Sequence, residues 1–108
     1  MSHTLSRVQL LVGRGDLRIS AHGYDELAAD DIFISDVIAG VTAAMVVEDY
    51  PGFARGPCVL VLQKDADGRP VHVVWGIPAN RAGPAVVVTA YRPDPTRWSS
   101  DFLKRNTP

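Results

Sequence analysis

The chain has 108 residues, 46% of them hydrophobic, with a formal net charge of −1, enough for one compact domain over residues 1–108 and too short for two. A single cysteine, Cys58, excludes a disulfide framework or a cysteine-based zinc site; no apolar run nears the roughly 20 residues of a membrane span, and "MSHTLSRVQL" lacks the core of a secretory signal, so a cytoplasmic protein without a membrane partner is expected. Residues 1–50 carry three basic and eight acidic side chains and residues 51–108 carry eight and four, balances of −5 and +4, compatible with a basic working face and an acidic back.

The first half has helical periodicity. "HTLSRVQLLVGRG" places Leu5, Val8, Leu11 and Val12 at helical spacing and stops at Gly13 and Gly15. "LRIS" is a connector or edge strand whose Ser20 caps a helix through "AHGYDELAAD", and Ser35 caps a third, short helix, "DVIAGVT". From Ala43 the pattern becomes strand-like in "AAMVVEDY", "CVLVLQKD", "PVHVVWGI" and "AVVVTAYRP". Asp67-Gly68 supplies a hairpin turn between the second and third strands, and "PANRAGP" joins the third to the fourth. Links this short imply an antiparallel meander. "DPTRWSSDFLKR" then reads as a C-terminal helix with Asp94 at the cap and Pro95 at its first position. The expected fold is α+β: N-terminal helices, a four-stranded antiparallel sheet and a C-terminal helix.

Alternation along "PVHVVWGI" sends Val71, Val73, Trp75 and Ile77 to one face and His72, Val74 and Gly76 to the other. A symmetric hairpin through "PANRAGP" pairs His72 with Tyr91 and Val74 with Thr89, and leaves Val86, Val88 and Ala90 on the buried side. His72, Thr89 and Tyr91 therefore share an open face, with Arg69 and Arg92 at its end. Those residue types suit metal-independent cleavage of RNA: an acid/base near neutral pH, a hydroxyl donor, and guanidiniums to neutralise the scissile phosphate. A strand histidine bonded to a cross-strand tyrosine is equally a common structural pair. His22, near a helix start, is a candidate second acid/base group. The three histidines have no metal-ligand spacing, so no metal and no cofactor are expected.

The phrases "ISAHGYDELAADDIFISDVIAG", "EDYP", "DGRPVHVVWGI" and "VVVTAYRPDPTRW" resemble the small bacterial domain-of-unknown-function family 4258, from Ile19 to Trp98. Its motif falls here on Ser20, His22, Tyr50, Arg69, His72, Thr89, Tyr91 and Trp98. The resemblance implies a distant relation to RelE/ParE-like toxins, small α+β proteins that act as ribonucleases, free or on the ribosome, or as gyrase inhibitors, and that are encoded beside a small antitoxin. On that reading His72, Tyr91, Arg69 and His22 are catalytic, Thr89 and Arg92 bind, and the partners are RNA or the ribosome and an antitoxin. The chain departs from the family pattern at Glu26 and Asp30, where arginines are usual, and at Gly23, which replaces alanine. The alternative is a non-catalytic protein-interaction module that keeps the toxin-like fold and offers its acidic helical half to a partner.

Overall fold

A computed structural model describes residues 2–107. Its elements are α1 (His3–Gly13), β1 (Leu17–Ile19), α2 (Ala21–Ala29), α3 (Ile34–Gly40), a 3-10 turn (Val41–Ala43), β2 (Met45–Tyr50), β3 (Cys58–Lys64), β4 (Pro70–Gly76) and β5 (Ala85–Tyr91). Helix starts follow local capping chemistry: the Ser2 hydroxyl accepts from Leu5 N at 3.0 Å and that of Ser20 from Gly23 N at 2.9 Å. The third helix differs from expectation, since it begins one residue before Ser35 and has Phe33 at its cap with no side-chain hydrogen bond.

The fold is α+β, but the sheet is five-stranded and mixed, in the order β1-β5-β4-β3-β2, and among the described residues no C-terminal helix follows it. The expected four-stranded antiparallel sheet is corrected by β1, whose Leu17, Arg18 and Ile19 pair in parallel with Ala85, Val86 and Val87. Three residues are too short for an alternation signal, and their neighbour in space lies nearly seventy residues away in the chain. β2 to β5 do form the expected meander, and Gly68 takes the positive φ (79°) that the β3–β4 turn requires.

The helices cover one face, here called inner. Leu5, Val8, Leu11, Leu27 and Val37 pack there against Val59, Val61, Val73, Trp75 and Val87. Fully burying an aliphatic side chain of this kind stabilises by about 1.5–3 kcal/mol. Trp75 is buried as expected, its indole donating to Gln63 Oε1 at 2.9 Å while Gln63 Nε2 donates to Val37 O at 2.8 Å. Val88 is not buried against the helices. A bulge between Val74 and Trp75 skips it, so that Trp75 faces Val87, and the phase of β5 shifts by one residue. Ala85, Val87 and Ala90 then point inward, whereas Val86 and Val88 face the outer side with Thr89 and Tyr91.

The C-terminal segment is a coil laid over the outer face. Short polar side chains capture the backbone donors that a helix would need. Asp94 Oδ1 accepts from Thr96 N, Asp101 Oδ1 from Leu103 N, and Ser99 Oγ from Lys104 N, while Phe102 sits at φ 62°. One bridge, Trp98 to Arg105, closes the coil on itself. We call residues 93–107 the strap.

Candidate functional site

Three rows of outward residues run across β2, β3, β4 and β5. The first is Met45, Leu62, His72 and Tyr91; the second is Glu48, Leu60, Val74 and Thr89; the third is Tyr50, Cys58, Gly76 and Val86, extended by Arg18 of β1. The strap lies over the first row.

His72 and Tyr91 are cross-strand partners, as the hairpin register predicts. His72 does not lie on an open face, however, because it is 0% exposed. Its Nε2 is 2.8 Å from Phe102 O of the strap and its Nδ1 is 3.2 Å from Tyr91 Oη. A carbonyl only accepts, so Nε2 carries the hydrogen and Nδ1 accepts from the tyrosine hydroxyl. The Trp98 ring stands edge-on to the imidazole, centroids 4.4 Å apart. Burial pushes the His72 pKa down, against a smaller upward pull from the Phe102 carbonyl, and burial also raises that of Tyr91. The imidazole is thus neutral, in one tautomer, with both nitrogens occupied.

From Trp98 the contacts continue to the sheet edge. The Arg105 guanidinium lies 4.8 Å over the Trp98 ring and grips Glu48 with two bonds, Nε to Oε2 at 2.7 Å and Nη2 to Oε1 at 3.0 Å. Tyr50 donates to the same carboxylate at 2.6 Å. These hydrogen bonds, led by that of Arg105, hold the Glu48 carboxyl at a pKa of about 2. Tyr50, His72, Tyr91 and Trp98 therefore belong to one connected network that fastens the strap. Sequence reasoning missed Glu48, Phe102 and Arg105, because no local spacing links a β2 carboxylate to a guanidinium 57 residues later.

The other expected site residues lie around or away from this network. Thr89 is half-buried on the second row. Arg92 is engaged by three groups: its backbone N–H donates to Asp30 Oδ2 at 2.8 Å, and its Nη1 lies 2.8 Å from Asp65 Oδ2 and 3.4 Å from Pro70 O. Its Nε is buried with no hydrogen-bond partner among the described residues. Arg69 is exposed in the β3–β4 turn, where its backbone N–H donates to Asp65 Oδ1. Asp65 thus ties turn to strand end, and Asp30, at the C-cap of α2, ties that helix to the residue after β5, which accounts for an acid at that position. His22 stands apart, on a helix packed against the inner face, with its side chain 66% exposed and 3.6 Å from Glu26. Gly23 fits because α2 lies so close to β5 that a Cβ there would come within 2.7 Å of Val87 O.

Beside the network Tyr91, Arg92, Arg97, Trp98, Arg105 and Asn106 line a cleft of about 810 Å³. Arg92 and Arg105 are already paired with carboxylates, while Arg97 is 82% exposed and 3.9 Å from Asp94. Among the described residues no three His, Cys, Asp or Glu side chains come together as metal ligands, and no helix is long and apolar enough to cross a membrane.

The sequence profile described as "Domain of unknown function (DUF4258)" matches residues 19–92. The chain belongs to that family. The match stops one residue beyond Tyr91, short of Trp98, to which the resemblance in sequence extends, so the matched region ends where the strap begins and the segment that seals His72 lies outside it. No curated protein and no solved structure matches the chain.

Proposed function

We propose that this DUF4258 domain is a non-catalytic protein-interaction module whose acidic, helix-covered half receives a basic protein partner. The observation that carries the reading is the closed state of His72, which is fully buried with both ring nitrogens in hydrogen bonds. A general acid/base needs a reacting atom within hydrogen-bond reach, and Trp98 and the Phe102 carbonyl occupy that space. His22, the other candidate acid/base, belongs to the inner side of the sheet. On that side Tyr24 and Phe33 are 60% and 72% exposed, with Asp25 and Asp31 exposed beside them in the chain. Exposed aromatics among acids suit a partner surface with complementary charge.

A second reading keeps the toxin relation, with RNA or the ribosome as target and a small antitoxin as partner. It is favoured by the cleft in which Arg92, Arg97 and Arg105 stand beside Tyr91, since clustered guanidiniums attract a phosphate backbone. Photo-crosslinking in cells separates the two readings, with the crosslinker placed at Phe33 in one variant and at Arg97 in another. The expected result is a discrete protein adduct at Phe33 and no RNA at Arg97. RNA captured at Arg97, together with new RNA ends on induction that disappear in Tyr91→Phe, would establish the second reading in its place.

A further inference from the structure

The strap leaves the third row of the outer face uncovered. Gly76 forms the floor of the groove there, Cys58, Val74, Val86 and Val88 form its sides, and its volume is about 500 Å³, within the range of small-ligand sites. Two backbone features make the concavity. Gly76 has no side chain, and a Cβ there would stand 3.2 Å from Val88 Cγ2 and 3.7 Å from Cys58 Cβ, filling the trough. The β5 bulge turns Val88 outward, so a valine forms the wall where regular alternation would have buried it.

The rim is cationic. Arg18 reaches the groove from β1 on one side, and Arg55 from the β2–β3 loop on the other. Both residues are exposed, and neither guanidinium makes an ion pair or hydrogen bond among the described residues, in contrast to Arg92 and Arg105. On the Cys58 side the neighbouring acid is Asp49, which pairs with Val59, is exposed, and adds to burial a smaller upward push on the Cys58 thiol. An apolar trough between two uncompensated guanidiniums complements a molecule with an apolar body and an anionic head, because a planar guanidinium meets a carboxylate with paired, charge-assisted hydrogen bonds.

We propose that this groove binds a small organic acid, its alkyl or aryl body laid over Gly76 between Cys58, Val86 and Val88 and its carboxylate held by Arg18 and Arg55. The site lies on the opposite face of the sheet from the proposed protein-docking surface and does not depend on it.

Cys58, the chain's sole cysteine and half-exposed in the groove wall, reports occupancy directly. Its rate of alkylation by iodoacetamide is to be measured on the full chain with increasing octanoate, and with octanol as a neutral probe of the same body. Octanoate is expected to slow the reaction in a saturable way, and octanol about tenfold less effectively. The double variant R18Q/R55Q is expected to lose about tenfold or more in octanoate protection while keeping that by octanol, the size of one to two charge-assisted hydrogen bonds. Val88→Phe, at an outward position, is expected to abolish protection by both probes without lowering the thermal midpoint. Absence of protection by octanoate, equal protection by octanoate and octanol, or unchanged octanoate protection in R18Q/R55Q would each overturn the proposal.

Discussion

At the scale of single residues His72 decides how the molecule is understood, because burial converts a candidate acid/base into a structural hub. On an open face, His72→Ala would cost about 1 kcal/mol, the range of one hydrogen bond. Buried as it is, the substitution removes a ring from between Trp98 and Tyr91 and orphans the Tyr91 hydroxyl and the Phe102 carbonyl. We expect a loss of about 2–5 kcal/mol, read from the urea midpoint, as for large-to-small changes in a core; a loss below about 1 kcal/mol would contradict the buried geometry. The same burial fixes the sign of a pH effect. The folded-state pKa of His72 lies below the ordinary 6.5, so as pH falls through 6.5 the unfolded chain takes up a proton that the folded ring refuses. This stabilisation is fully present above 6.5 and declines toward acid. Glu48, shifted from 4.5 to about 2, adds a further loss only below 4.5. Urea midpoints that stayed level from neutral pH down to the carboxylate range would contradict the assignment.

Among the elements, the strap and α2 show how close packing replaces regular structure. The strap has no helix of its own and depends on the Arg105–Glu48 pair, the Trp98 ring beneath Arg105, and the bond from His72 to Phe102. Exposed ion pairs contribute little singly, and this one is bidentate. Arg105→Ala is therefore expected to lower stability by about 1 kcal/mol and to open residues 99–107 to limited proteolysis, with the sheet intact; a strap as resistant as the parent's would show that the pair does not hold it. For α2, Gly23→Ala sets two effects against each other. Helix propensity gains about 1 kcal/mol, whereas a Cβ 2.7 Å from Val87 O forces the helix off β5, an overpacking cost of about 1–3 kcal/mol. A lowered thermal midpoint is expected, and a raised one would mean that α2 has room to move.

Across the whole molecule, the features legible in the sequence are those that depend on period and turn chemistry: α1, α2, the four meander strands, the Gly68 turn and the His72–Tyr91 register. The features that escaped depend on distant contacts. "LRIS" admits the edge strand that β1 is, but its parallel pairing is specified only by its place beside β5; the bulge at Val88 has no glycine to announce it, and Asp94-Pro95 starts a turn that Ser99 and Asp101 divert before it becomes a helix. Alternation assigned His72 to the outer face correctly. It did not show that the outer face is covered, because the cover comes from a segment whose own pattern suggested a helix.

The strap belongs to the folded unit and closes over a neutral imidazole. Nuclear magnetic resonance of the His72 ring in the full chain tests this, giving the tautomer from the ring nitrogens and the solvent-exchange rate of the ring N–H beside those of the core amides. We predict a proton on Nε2, exchanging as slowly as the amides of Val61 and Val73, because all three are released only when the molecule opens as a whole. A proton on Nδ1, or a ring N–H that exchanges rapidly while those amides stay protected, would contradict the account and return His72 to an open, chemically available surface.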